Sequence, residues 1–115
     1  MAESCIFCKI VSGEIPANQA GENEAAIAFH DNSPQAPVHV LIVPRAHISG
    51  LSDIDTLPAD TVHRMLVLAT EVAKSKAINE TGYRLVTNVG PDSGQSVFHL
   101  HWHLLGGKPL TAGLA

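Results

Sequence analysis

Val97-Phe98-His99-Leu100-His101-Trp102-His103-Leu104-Leu105 places a histidine at every second position of an otherwise apolar stretch. Successive side chains of a β-strand point to opposite faces of its sheet, so this period predicts a strand over 97–105. His99, His101 and His103 then share one face, neighbours lying roughly 6.5–7 Å apart along the strand. Phe98, Leu100, Trp102 and Leu104 take the other face, which is apolar enough to be the core side.

The polar segment Gly90–Ser96 joins this strand to another predicted over Tyr83–Val89. Val38–Val43, rich in branched residues and interrupted only by His39, predicts a central strand that stops before Pro44. Shorter strands are predicted over Asn18–Ala20 and Ala25–His30 with a turn at Gly21–Glu24 between them, and Asp31-Asn32-Ser33-Pro34 ends the second. Cys5–Ser12 predicts a short helix stopped by Gly13, with Pro16 barring continuation. One long helix follows the central strand, capped by Thr56, with Pro58 in its first turn, and running to about Asn79. Val62, Met65, Leu66, Ala69, Val72 and Ala73 recur on it at helical spacing, and His63 reads as an exposed position of that helix. Strands, one long helix, then strands again predict an α+β domain: an antiparallel sheet with the long helix on one face and a short N-terminal helix. Residues 106–115 read as a surface tail whose Leu110 and Leu114 offer an apolar contact to a partner chain.

A chain of 115 residues suits one domain, 1–115, rather than two well-cored ones. Its formal net charge of -4 and lack of a Lys/Arg cluster argue against nucleic-acid binding through a general basic field. No stretch reaches the apolar length needed to cross a bilayer, and Met1–Cys5 has neither a basic start nor an apolar run. A cytoplasmic protein without a membrane partner is therefore expected. In a reducing compartment Cys5 and Cys8 need a role other than a structural disulfide. Their C-x-x-C spacing is that of half a tetrahedral zinc site.

Three uses of the histidine row present themselves. One is a solvent-facing polar strip. Another is a three-histidine metal site, imidazole being a common zinc ligand. The third is nucleophilic and acid–base chemistry by neutral imidazoles. The adjoining loop favours the third, because Gly90, Gly94 and the short polar residues between them let backbone N–H groups turn inward as an anion-binding nest. Gln95 and Ser96 add neutral donors at its end.

His99-Leu-His-Trp-His-Leu-Leu105 resembles the motif of the histidine triad (HIT) family. So do Cys5-Ile-Phe-Cys-Lys-Ile10, Gly13-Glu-Ile-Pro16, Phe29-His-Asp31, Ser33-Pro-Gln-Ala-Pro37, Val43-Pro44, His47-Ile48 and Gly94-Gln-Ser-Val97, in the order found in that family's small nucleotide-binding branch. The resemblance spans about 5–107, leaving 108–115 as the tail, and implies a HIT-like fold. It implies a hydrolase of the purine nucleoside phosphoramidase kind, in which His101 attacks the α-phosphorus of a nucleotide conjugate. Water then releases a nucleoside monophosphate such as AMP from a nucleotidyl-histidine intermediate.

By the same resemblance His103 contacts a phosphate oxygen, Ser96 supports the leaving group, and Gly94 and Gln95 help cradle the phosphate. Asn88 contacts that end of the nucleotide, and Asp31 accepts from the ribose hydroxyls. Asn32 lines the base or sugar pocket, where the resembled proteins often carry an apolar residue. His39 sits behind the triad, or else is a satisfied core histidine. Bacterial-type members imply a structural zinc held by Cys5, Cys8, His47 and His99, and members of this branch imply a homodimer. Gly106-Gly107 resembles the phosphoramidase branch more than the branch hydrolysing dinucleoside polyphosphates, and His103 stands where the transferase branch has glutamine. A nucleotide-binding adaptor with incidental catalysis, and a non-nucleotide zinc hydrolase, are the alternatives from other classes.

Overall fold

The computed structural model describes residues 5–111. Strands β1 (Gln19–Glu22), β2 (Ala26–His30), β3 (Val38–Pro44), β4 (Tyr83–Val86) and β5 (Trp102–Gly106) form one sheet in the order β1-β2-β3-β5-β4, every neighbouring pair antiparallel. Helix α2 (Thr61–Ser75) covers one face, burying Met65, Leu68, Ala69, Val72 and Ala73 against Ala26, Ala28, Val40, Ile42, Leu100 and Leu104. The other face carries the short helix α1 (Ile6–Ser12), whose Phe7 packs with Ile27, Phe29, Leu41 and Val43. The expected α+β layering is the one that forms.

Where boundaries differ from expectation, a specific contact explains the change. The long helix does not start at Thr56. Leu57 is extended, as a residue before proline prefers, and the Thr56 hydroxyl instead donates to the Asp53 carbonyl at the end of a 3₁₀ segment, Leu51–Thr56. Pro58 thus precedes α2, and its carbonyl accepts from Thr61 N–H. The helix stops at Ser75 rather than Asn79 because Ala77 turns left-handed (φ 61°), with Ile78 N–H bonding back to the Ala73 carbonyl. On α2, Leu68 rather than Leu66 is a fully buried position, and His63 is exposed.

β1 runs through Gly21 and Glu22, which the sequence assigns to a turn. Gly21 sits where an added Cβ would lie 3.3 Å from Leu68, and the turn itself is made by Asn23, whose Oδ1 accepts from Ala25 and Ala26 N–H. β3 keeps Pro44, paired with Ala26, and β5 keeps Gly106, paired with both Val38 and Tyr83. Gly106 is therefore sheet, not tail. Leu110 is half-buried, and Leu114 lies outside the described residues.

The largest departure is at the histidine row itself. β5 begins at Trp102, so His99 and His101 precede the ladder. β3 ends at Pro44, which has no N–H, and Leu100 N–H goes to the Ile48 carbonyl instead. β4 likewise ends at Val86, three residues short of Val89, because the Thr87 hydroxyl donates to the His101 carbonyl. The side-chain alternation nevertheless persists: Leu100, Trp102 and Leu104 join the α2 side, and the histidines face α1. Phe98 is the exception, half-exposed where a core position is expected.

Candidate active site and metal centre

The histidine row is not a solvent strip. His99 and His101 are buried, and His103 is half-buried. Phe7 of α1 stands edge-on to both His99 and His101, with ring centroids 6.0 and 5.1 Å away, so α1 roofs the row. The His101 and His103 rings are 5.0 Å apart, and His99 pairs at 4.8 Å with His47.

Backbone contacts determine which nitrogen of each ring carries the proton. His101 Nδ1 lies 2.7 Å from the His99 carbonyl oxygen, which can only accept, so Nδ1 is the protonated nitrogen and Nε2 keeps a lone pair. Nε2 makes no hydrogen bond to a described residue. Gln35 N–H donates to His39 Nδ1 at 3.0 Å, which leaves the proton on His39 Nε2. That proton is donated to His103 Nδ1 at 2.9 Å, so His103 presents Nε2–H outward as a donor. One histidine thus offers a free ring lone pair and its neighbour an N–H donor.

The acid–base state agrees. Burial holds His103 down to about 4, with His101 and His39 adding to the shift and Asp31 opposing it. Burial also lowers His101, against the His99 carbonyl and Asp31, and lowers His39 against Asp31. The 3.5 Å contact from His39 Nε2 to Asp31 Oδ2 is accordingly one between a neutral ring and a carboxylate. His39 is therefore both a buried strand residue and the direct support of His103.

The other expected site residues divide. Asp31 and Asn32 line a cleft of about 260 Å³ whose walls include Phe7, Ile10, Ile15 and Phe29. Asp31 Oδ1 already accepts from Ser33 N–H at 2.7 Å, which orients its carboxylate. The loop differs from the expected nest. Gly94 N–H bonds the Pro91 carbonyl, and Gln95 N–H bonds that of Gly90. The Gln95 side chain is buried, accepting from Gly90 N–H and donating to the Ser49 and Val97 carbonyls, while Asn88 Nδ2 donates to the Ser93 carbonyl. These three residues brace the loop. Past that turn, the N–H groups of Ser96, Val97, Phe98 and His99 have no hydrogen-bond partner among the described residues.

His99 faces away from this chemistry. Its Nε2–H donates to the Pro44 carbonyl at 2.9 Å, which leaves the Nδ1 lone pair aimed at Cys5, Cys8 and His47. Cys5 Sγ, Cys8 Sγ, His47 Nδ1 and His99 Nδ1 lie 3.1–3.5 Å from one another in the contacting pairs, and all within 4.8 Å. A zinc ion with bonds of about 2.0–2.3 Å to nitrogen and sulfur places its tetrahedral ligands about 3.3–3.8 Å apart. Burial pushes His99 down to about 4, with His47 and His101 adding to it and the Pro44 carbonyl opposing. Two cysteine sulfurs and two imidazole nitrogens converging in this way fit a tetrahedral metal ion and leave no ligand position over. Cys5 also accepts from Cys8 N–H, so one member of this cluster is the cap of α1.

Phe7, Gln35 and Thr87 are parts of the site that residue type alone does not reveal. Gln35 acts through its backbone, and Thr87 acts from just past the end of β4, so neither leaves a spacing signal. Phe7 is flanked by the two cysteines, and its role becomes readable once their helix is placed on the triad.

The HIT domain profile matches residues 12–110. The purine nucleoside phosphoramidase of Escherichia coli K12 is 43% identical over 115 residues, covering 100% of this chain and 97% of that protein. Among solved structures, a HIT family hydrolase from Clostridium thermocellum superposes with a TM-score of 0.94 at 44% identity, covering 98% of each chain. A histidine triad protein from Clostridium difficile does so with a TM-score of 0.91 at 44% identity over 96% of each chain.

Proposed function

The chain belongs to the HIT domain family and is a hydrolase, and on that footing we propose that it cleaves nucleoside phosphoramidates and related nucleotide conjugates through a nucleotidyl-His101 intermediate. The observation that carries this reading is the His101 tautomer: Nδ1–H held by the His99 carbonyl, Nε2 bearing a free lone pair. Nε2 attacks the α-phosphorus and the P–N bond breaks; the departing nitrogen keeps that bond's electron pair and is protonated from solvent, with the Ser96 hydroxyl beside it, and solvent recovers a proton from the water of the second step. The ring gains positive character as the N–P bond forms, and the His99 carbonyl stabilises it through the Nδ1 proton. Water then attacks the same phosphorus, releasing the nucleoside monophosphate and restoring neutral His101.

His103 Nε2–H donates to a non-bridging phosphate oxygen, held in that role by His39 and Gln35. Asp31 accepts from the ribose hydroxyls, and Asn32 meets the base or sugar at the rim of the apolar cleft. Gly94, Gln95 and Asn88 shape the loop that presents Ser96 and Val97 N–H. Zinc bound by Cys5, Cys8, His47 and His99 serves structure, clamping α1 to the segment that carries His101. Incubation with adenosine 5′-phosphoramidate is expected to release AMP catalytically; binding without turnover of this or any related conjugate would contradict the assignment.

The depressed basicity of the row has a kinetic consequence. A histidine whose pKa is lowered stays neutral, and active, from high pH down to that lowered value. Burial lowers both His101, which must be neutral to attack, and His103, which titrates near 4, so the acid limb of kcat/KM is expected below the ordinary imidazole range near 6.5. His101, His39 and Asp31 are the titratable groups facing His103. An acid limb centred near 6.5, in protein that circular dichroism shows to be folded, would contradict this.

We also propose a homodimer. Val67 on α2 and Tyr83 on the edge strand β4 are exposed apolar surface, and Trp102 Nε1 is buried without an acceptor among the described residues. Light scattering is expected to give twice the 12.2 kDa chain mass; a monomer at micromolar concentration would count against it. No helix among the described residues is long and apolar enough to cross a membrane.

A further inference from the structure

A second cleft, of about 340 Å³, opens beside the nucleotide cleft. The two share a wall, Ile6 and Val97, so they lie on opposite sides of one ridge. Cys5, His47, Ser49, Ser96 and Phe98 complete the lining of the second cleft. Ile6 and Phe98 are 48% and 50% exposed, the two most exposed of the large apolar side chains. An aromatic ring half in solvent, at a position whose alternation would send it to the core, calls for a contact on that side.

We propose that this cleft receives the leaving group of the substrate and selects amines with an apolar, preferably aromatic, side chain. The inference rests on the phosphoramidase reading above and extends it to the other half of the substrate. A nucleotide conjugate has two halves joined at phosphorus, and here two clefts meet at one ridge beside Ser96. Asp31 places the nucleoside half in the first cleft, which leaves the second for the amine. Phe98 and Ile6 cover an apolar side chain, while Ser96 and Ser49 serve the polar atoms next to the phosphorus.

Charge narrows the class further. Among the described residues no Lys, Arg, Asp or Glu lines this cleft. None of these lining side chains neutralises a carboxylate or a second string of phosphates, so an acidic amine or a nucleoside polyphosphate enters at a desolvation cost that they do not offset. A neutral leaving group enters freely.

The test compares three adenosine 5′-phosphoramidates, of methylamine, phenethylamine and aspartic acid, in the wild-type protein and in the variants Phe98→Ser and Phe98→Tyr. The wild type is expected to favour the phenethylamine conjugate over the methylamine one by about tenfold or more in kcat/KM, and to disfavour the aspartate conjugate. Phe98→Ser is expected to bring the phenethyl-to-methyl ratio to within about threefold of unity, and Phe98→Tyr to restore it. Phe98 lies at the surface, so Phe98→Ser leaves the core packing in place. Equal turnover of all three conjugates, or a ratio unchanged in Phe98→Ser, overturns this inference alone. Failure to release AMP from any of the three overturns the phosphoramidase reading and this inference with it.

Discussion

His101→Ala is expected to lower kcat/KM for adenosine 5′-phosphoramidate by about 10⁴-fold or more, because it removes the atom that forms the covalent bond. The change is expected in kcat, with nucleotide affinity largely kept, since the cleft carrying Asp31 and Asn32 is built from β2, α1 and the loop after β2 rather than from His101. Alanine at this position also leaves a gap against Phe7, 5.1 Å away between ring centres, so some stability is lost with it. His101→Asn separates the two effects, keeping a polar side chain of comparable reach with no nucleophilic nitrogen. Steady-state kinetics alongside AMP binding by calorimetry check the result. Turnover within tenfold of wild type in both variants would show that another group attacks phosphorus.

The second large effect concerns the metal. Protein prepared without chelator is expected to carry one zinc per chain by elemental analysis, and Cys8→Ala to carry almost none. A ligand present at 100–1,000 times its Kd stabilises the folded state by about 2.7–4 kcal/mol, which for a domain of this size lowers Tm by roughly 10 °C or more when it is lost. Chelation of the wild type is expected to produce the same fall, and chelation of Cys8→Ala no further change. Burial and the neighbouring Cys5 push the Cys8 thiol up in the metal-free cluster, which is where a bound cation acts most strongly in the opposite sense. Loss of the ion also frees α1 at its cap, Cys5, and α1 carries Phe7 onto the catalytic row. Zinc substantially below one per chain, or a wild-type Tm indifferent to chelator, would contradict the clamp.

Much of this fold is legible in the residues because its decisive features are periodic. Alternation over 97–105 predicts the face on which each histidine lies, and it holds even where the ladder has ended. That extent of strand is misjudged for a reason outside the segment: Pro44 and Thr87, remote in sequence, take away the partners that residues 98–101 would need. The start of α2 is lost to a competition that only tertiary structure resolves, since Thr56 and Asp60 both stand in plausible capping positions and Leu57-Pro58 forces an extended step between them. Cys5 and Cys8 announce half a metal site by their spacing, whereas His47 and His99, far off in sequence, join them only through the family resemblance. The hydrogen-bond chain from Gln35 through His39 to His103 leaves no such signal, because Gln35 contributes an amide that any residue but proline possesses. The nest expected from Gly90 and Gly94 forms a turn instead, its N–H groups turned onto Pro91 and Gly90, and the available donors move two residues on.

The central claim, that reaction proceeds by two displacements at one phosphorus with His101 as the intermediate acceptor, is tested most directly by stereochemistry. A single diastereomer of an adenosine 5′-phosphoramidothioate, chiral at phosphorus, is hydrolysed in ¹⁸O-labelled water and the configuration of the product read by ³¹P NMR. Each in-line displacement inverts phosphorus, so attack by His101 followed by attack by water predicts net retention. Net inversion would mean that water attacks the substrate directly, and the covalent role assigned to His101 would fall.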